Sequence, residues 1–192
     1  MPRNRPRKAS PQPLSQLRII GGEWRGRRLQ FAPVEGLRPT GDRLRETLFN
    51  WLQFRLPGAR CLDLFAGSGA LGLEALSRGA ASVEFVELNR RAADTLRAQL
   101  QLLGTDRGRV HHQSALDFLA GDASAYDIVF LDPPFTADLW QPALAALHDR
   151  LAPRALVYVE TPRDTALPLP GHWQVEKEKR AGQVCMRLLS AA

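Results

Sequence analysis

Two stretches of this sequence hold residue types whose spacing could do chemistry. The first runs Cys61-Leu62-Asp63-Leu64-Phe65-Ala66-Gly67-Ser68-Gly69-Ala70-Leu71-Gly72, an apolar strand, a glycine turn and the start of a helix. The glycines permit a tight bend and let backbone approach a ligand closely. The N–H groups opening the helix favour a negative group, such as a phosphate or a carboxylate. Glu87 lies 20 residues past Gly67, at the end of the next strand-like run, where an acid offers two acceptors to the adjacent hydroxyls of a ribose. Gly67, Gly69 and Gly72 also fit G-x-G-x-x-G, so a dinucleotide-binding domain is weighed, as is a tight turn with no ligand. Glu87 at that distance favours an adenosine contact.

The second stretch follows Tyr126-Asp127-Ile128-Val129-Phe130-Leu131 and reads Asp132-Pro133-Pro134-Phe135. An exocyclic base amine is a poor nucleophile because its lone pair is delocalised into the ring. Two acceptors on its N–H groups can orient it and draw that lone pair out of conjugation. The Asp132 carboxylate and the Pro133 carbonyl could be those acceptors, pre-set by the restricted φ of the prolines. Phe135 offers a face for an extruded base, worth about 1–3 kcal/mol. The matching electrophile is a sulfonium methyl, so the step is an in-line displacement dominated by positioning. No strong base is needed before attack, because the amine becomes acidic once alkylated. Taken alone, Asp-Pro-Pro reads as a strand-to-helix turn with Asp132 as N-cap; beside a nucleoside-binding turn the chemical reading is preferred.

These residues need a frame that brings them together. After Pro57-Gly58 strands and helices alternate: strands are predicted over 60–65, 82–87, 109–112, 127–131 and 155–160, helices near 70–78, 90–103, 116–120 and 139–151. That order implies a parallel, doubly wound α/β sheet with right-handed crossovers. Its first and fourth strands should flank the switch in strand order, setting the Asp132 loop against the glycine turn. Runs 173–179 and 184–189 around Ala181-Gly182 read as a hairpin closing the sheet. Upstream, 17–32 suggests two short strands around a Gly21-Gly22 turn, and 41–54 a helix with Leu44, Leu48, Trp51 and Leu52 on one stripe. Residues 1–16, rich in Pro, Arg, Ser and Gln, should be disordered in isolation. The expected division is a basic arm over 1–16, a hairpin-and-helix extension facing RNA over 17–56, and a catalytic domain over 57–192.

Charge sharpens the division. The chain of 192 residues carries a net +6, but residues 1–45 hold eleven Lys or Arg against three acids, and the remainder sums to −2. A basic arm on a near-neutral domain points to a polyanion. The bland alternative for residues 1–13 is Arg enrichment in a solvated tail, which accounts less well for arginines set among Trp24, Leu29 and Phe31. Cys61 and Cys185 are far apart in apolar surroundings, and neither they nor the four histidines have ligand spacing. No metal is expected. No apolar run is long enough for a bilayer, and the basic start lacks the apolar region of a secretory signal. A cytoplasmic monomer is expected, with an organellar transit peptide as the alternative reading of the Arg-rich start.

Together these residues resemble the class I methyltransferases, and within them the bacterial 16S rRNA guanine-N2 methyltransferase family called RsmD-like. The resemblance spans roughly 17–189: Arg18-Ile19-Ile20-Gly21-Gly22, Arg25-Gly26-Arg27, Arg38-Pro39-Thr40 with Asp42-Arg43, Arg45-Glu46-Thr47-Leu48-Phe49-Asn50, the glycine turn continuing through Leu73-Glu74-Ala75, and Asp132-Pro133-Pro134-Phe135. The Arg-Pro-Thr and Arg-Glu-Thr-Leu-Phe-Asn pieces are the more specific. The resemblance implies a Rossmann-like fold, S-adenosylmethionine as donor, and N2 methylation of one small-subunit rRNA guanine within a 30S particle or its assembly intermediate. By position, Asp63, Phe65, Ala66, Gly67, Ser68, Gly69, Glu87, Leu88, Ser114, Ala115 and Asp132 would hold the cofactor. Asp132, Pro133, Pro134 and Phe135 would hold the target base, and Arg18, Arg25, Arg27, Arg28, Arg38 and Arg43 the RNA. One departure stands out: many class I methyltransferases have an acid where this chain reads Ser114-Ala115, with Asp117 three residues on. The nearest rival is an adenine-N6 DNA methyltransferase, whose amine the same loop would serve. A protein-glutamine methyltransferase leaves the basic arm unused, and a nicotinamide dehydrogenase leaves the Asp132 loop unexplained. A non-catalytic RNA-binding assembly factor is opposed by the intact Asp132 and Phe135.

Overall fold

The computed structural model describes residues 15–31, 41–121 and 125–191. Seven strands form the central sheet: β3 (Arg60–Asp63), β4 (Ser82–Val86), β5 (Gly108–His111), β6 (Tyr126–Leu131), β7 (Leu151–Pro162), β8 (Trp173–Ala181) and β9 (Val184–Ala191), in the order β5-β4-β3-β6-β7-β9-β8. The first five positions are mutually parallel, β9 runs antiparallel to β7, and β8 antiparallel to β9. The order reverses between β3 and β6, so both motifs end at the same crevice. This is the doubly wound arrangement with a closing hairpin that the alternating pattern and the resemblance imply.

Alternation along the strands builds a core on each face. Cys61, Phe85, Ile128, Phe130, Tyr158 and Met186 face one layer with α1 (Asp42–Leu52), α2 (Ala70–Ser77) and α3 (Arg90–Leu103). Leu62, Leu64, Val129, Leu131, Val157 and Leu189 face the other, with α4 (Ala115–Ala120) and α5 (Trp140–Leu147). The N-terminal strands, β1 (Ser15–Arg18) and β2 (Arg28–Phe31), pair with each other and add Leu17, Leu29 and Phe31 to the first layer. Strand β1 opens at Ser15, two residues inside the stretch assigned to the arm. Residues 1–14 lie outside the described set, as does Arg38. No helix among the described residues is long and apolar enough to cross a membrane.

Two boundaries differ from expectation. The helix predicted over 139–151 ends at Leu147, a single 3-10 turn covers His148–Arg150, and Leu151 already pairs with Tyr126 as the first residue of β7. Leu144, Leu147 and Leu151 keep a helical spacing, so periodicity alone runs on, whereas Pro153 biases its predecessor toward extended backbone. The predicted Gly21-Gly22 hairpin turn is instead a longer loop from Ile19 to Arg27. Trp24 is buried within it, and the Ile20 and Gly21 amides donate to the Glu74 carboxylate, both at 2.8 Å, instead of to a hairpin partner.

Candidate active site

The glycine turn is shaped by three different needs. Gly67 and Gly69 take left-handed backbone (φ 54° and 79°), which glycine alone adopts cheaply. A Cβ on Gly69 would meet Leu96 Cδ2 at 2.3 Å, and one on Gly72 the Phe85 ring at 2.2 Å. Gly69 and Gly72 are therefore packing residues that seat α2 on α3 and β4. Gly67 is buried, and its N–H donates to Glu87 Oε2 at 2.8 Å, while the Asn89 amide donates to Oε1 at 2.7 Å. Those two bonds fix the carboxylate at the end of β4 and use only part of its acceptor capacity of about four lone pairs. Beside it Leu88 is 69% exposed, an apolar surface for a planar ring. Such a donor and acceptor set fits a nucleoside carrying a carboxylate, with Glu87 on the ribose and the start of α2 toward the acid.

Asp63 sits behind this turn and not on its surface. It is buried, and its Oδ2 accepts the Gly72 N–H at 2.9 Å. Its carboxyl is pushed up to about 7: burial raises it most, the Gly72 bond lowers it, and the Glu87 charge raises it. At the end of β5, Ser114 caps α4: its Oγ accepts the Asp117 N–H at 3.1 Å and donates to Asp117 Oδ2 at 2.6 Å. Ser114 and Asp117 are thus one reciprocal unit at the mouth of the crevice, with Ala115 buried beneath. His112 Nε2 contacts the Leu88 carbonyl at 3.0 Å, tying the ends of β4 and β5.

The Asp132 loop leaves β6 against the glycine turn. Asp63 pairs with Phe130, and the Leu64 amide donates to the Phe130 carbonyl at 3.1 Å. Pro133 is buried, Asp132 half-buried, and Pro134 and Phe135 exposed. Helix α5 begins only at Trp140, capped at Leu139, so Asp132 is not its N-cap and the prolines are not in its first turn. Phe135 and Trp140 rings lie 6.1 Å apart and tilted by 40°. The Trp140 indole N–H donates to the Glu160 carbonyl at 2.8 Å, which fastens the far end of the loop to β7. Glu160 and Tyr158 lie outside both sequence motifs. Both are buried on β7, and Tyr158 Oη donates to Glu160 Oε2 at 2.7 Å. An acid ending the apolar run Leu156–Val159 was the available signal.

The arginines separate into groups. Arg25, Arg27, Arg28 and Arg43 are exposed, and Arg18 is exposed but bonded to Asp42 at 3.3 Å. Arg45, counted in the basic surplus, is 1% exposed and bonds Asp42 Oδ1 and the Arg18 carbonyl, at 2.6 and 2.9 Å. Its charge is structural. Arg25 lies in the turn closed by its own N–H on the Gly22 carbonyl, and the Glu23 amide donates to Ser77 at the last residue of α2. The eight residues of α2 place that turn about 12 Å from the glycine turn. Among the described residues, no three His, Cys, Asp or Glu side chains group as a metal site.

Comparison with known proteins adds the family. The family model described as Conserved hypothetical protein 95 matches residues 17–190. Ribosomal RNA small subunit methyltransferase D of Escherichia coli (strain K12) is 49% identical over 176 residues, 90% of this chain and 89% of that protein. Its Haemophilus influenzae namesake is 48% identical over 185 residues, 93% of this chain and 96% of its own length. The solved structure of the Escherichia coli protein yhhF has a TM-score of 0.83 at 48% identity, covering 92% of this chain and 98% of that one.

Proposed function

This chain belongs to the Conserved hypothetical protein 95 family, the RsmD family, and from that premise we propose that it transfers a methyl group from S-adenosylmethionine to the exocyclic N2 of a guanine in small-subunit rRNA. The fold is that of the class I methyltransferases. The cytoplasmic small-subunit particle or its assembly intermediate is the proposed substrate, after the relatives named for small-subunit rRNA. The observation that carries the reading is the Asp132–Phe135 loop. It is freed from helix capping, fastened at Trp140, and set at the strand-order switch beside Gly67 and Glu87.

The residues fit the cofactor: Glu87 offers acceptors to ribose hydroxyls, Leu88 an apolar face, and the start of α2 amides for a carboxylate. When bound, S-adenosylmethionine supplies a methyl group on a positively charged sulfur. The protein's part is positional. Asp132 accepts one amine hydrogen and the Pro133 carbonyl the other, turning the lone pair toward the methyl group. Phe135 stacks on the extruded base and Trp140 braces its ring. The proton lost after transfer leaves an acidified amine, and the Asp132 carboxylate is in place to take it. The basic N-terminal segment would hold the surrounding RNA electrostatically.

The test is transfer of tritium from labelled S-adenosylmethionine to small-subunit particles lacking their own modification, followed by nucleoside analysis. Label in N2-methylguanosine is the expected result. Label confined to N6-methyladenine of added DNA would replace this function with that of the rival amine.

A further inference from the structure

Strand β8 is an edge of the central sheet, and a bulge decides which way its charges face. Trp173 and Val175 lie on the α5 side, Val175 in register with Leu189 of the second core layer. The pairing then shifts, with Glu176 as the extra residue, and Lys177 and Lys179 stand opposite Leu188 and Met186 of the first layer. Without the bulge, plain alternation would send both lysines to the α5 face and turn Glu178 toward α1. As built, Glu178 lies on the α5 side and is taken up by Arg187 at 2.8 Å and Arg180 at 3.4 Å. Glu176 accepts the Ser190 hydroxyl, toward the amino end of β7, where Ser190 pairs with Leu156.

Lys177 and Lys179 are exposed, and neither forms an ion pair among the described residues. Neutral groups of α1 hold them instead. Lys179 donates to Thr47 Oγ1 at 3.1 Å, Thr47 donates in turn to the Arg43 carbonyl at 3.0 Å, and the Lys177 ammonium lies 5.9 Å from the Trp51 ring centre. Lysines that only deter edge pairing can stay loose and solvated; these are fixed along one helix, with the exposed Arg43 at its head. The seam starts level with the crevice. Leu131 and Val159 are in register, so Asp132 and Glu160 open the next row, which continues through Met186 to Lys179. At about 4.8 Å per strand, Lys179 stands about 14 Å from Asp132 along that row. The hairpin arginines lie on the other flank of α1: Arg45, which holds the Arg18 carbonyl at 2.9 Å, is about 200° round the helix from Thr47.

We propose that Lys177 and Lys179, with Arg43, form a second phosphate contact for the substrate RNA, gripping the strand beside the extruded base on the flank of α1 away from the hairpin. The inference rests on the rRNA function proposed above. Three fixed like charges repel one another, and a phosphodiester backbone is the polyanion covalently continuous with a base at Asp132. Phosphates carry no sequence information, so the seam supplies affinity and register and leaves the choice of base to the crevice.

Binding of wild type and of the double variant Lys177→Gln/Lys179→Gln to small-subunit particles is measured from about 50 to about 200 mM salt, alongside methyl transfer at saturating S-adenosylmethionine. The slope of log K against log salt should fall by about 1.4, at roughly 0.7 per contact, and affinity at about 100 mM salt by on the order of tenfold. KM for the particle should rise by a similar factor, while kcat, S-adenosylmethionine affinity and melting temperature stay near wild type. Lys177→Arg/Lys179→Arg keeps both charges and should restore the wild-type slope. A wild-type slope in the Gln variant would overturn the proposal. Equal losses in the Gln and Arg variants would also overturn it, by making the lysines packing groups for Thr47 and Trp51. A lowered kcat at unchanged KM would overturn it in favour of a part in the chemistry. Particles that take no label from the wild type would overturn the rRNA function and the seam with it; normal labelling with an unchanged slope sinks the seam alone.

Discussion

Asp132 and Asp63 are two acids one strand apart with opposite surroundings, and their variants should behave differently. Asp132 is half-buried at the open end of β6, so Asp132→Ala should cost turnover about a hundredfold or more while sparing S-adenosylmethionine affinity. Equal loss of cofactor binding, measured by calorimetry, would reassign it to the donor site. Asp63 is enclosed, and its carboxyl is pushed up from 3.8 to about 7. Between those values the folded chain keeps a proton that the unfolded chain has released, so stability falls as pH rises through that window and levels off above it. Asp63→Asn keeps an acceptor for the Gly72 amide and removes the ionisation. Its melting temperature relative to wild type should therefore improve from pH 5 to pH 8, by on the order of a few kcal/mol in stability. Parallel pH curves for the two proteins would show that Asp63 does not carry this titration.

At the scale of elements, the N-terminal hairpin is bolted to α2 and contributes to the core. Glu74, fully buried, accepts the Ile20 and Gly21 amides at 2.8 Å each and the Arg78 Nε at 2.7 Å. Ser77 Oγ accepts the Trp24 amide at 2.9 Å and donates to the Gly21 carbonyl at 2.6 Å. Two glycines in this loop allow a controlled test. A Cβ on Gly22 would stand 1.9 Å from the Ser77 carbonyl oxygen, whereas one on Gly26 meets nothing within 4 Å; both have left-handed φ, 77° and 83°. Gly26→Ala should cost roughly 1–2 kcal/mol for the backbone alone. Gly22→Ala adds a clash with backbone and should lose several kcal/mol, about double or more. Equal melting temperatures for the two would mean the hairpin is not seated as described. The alternation of β3 to β7, the closing hairpin and the switch point were legible because strand and helix periods differ and glycines mark the turns. The seat of the loop was not, because Glu74 sits in a helix whose eight residues are all buried, and a sequence pattern does not say which backbone a buried acid will satisfy. Glu160 escaped for the same reason: its partner Tyr158 reads as one more apolar strand residue.

At the scale of the whole molecule, the basic residues among those described do not converge on the crevice. Helix α1 runs against the direction of the parallel strands: Lys179, near the end of β8, donates to Thr47 Oγ1 at 3.1 Å, and Arg55, just after the helix, donates to the Arg154 carbonyl near the start of β7. Arg43, at its start, is therefore on the catalytic side, while Arg25 and Arg27 sit in a loop anchored on the far end of α2. Between them Arg18 and Arg28 stand directly opposite across the hairpin, a like-charge pair that costs stability by itself. Asp42 offsets only Arg18. A phosphate backbone laid along this edge would relieve that repulsion and reach both ends of α2. Converting Arg25, Arg27 and Arg28 together to Gln should therefore weaken particle binding and lower the slope of log K against log salt by about 2, at roughly 0.7 per single-stranded phosphate contact. The rate at saturating substrate should hold, because these residues are an α2 length from the reacting amine. Because the like-charge pair is also removed, the triple variant should melt no lower than wild type. A salt slope equal to wild type would move the RNA surface off this edge, and a fall in the saturated rate would mean that the hairpin shapes the crevice and does not simply hold RNA beside it.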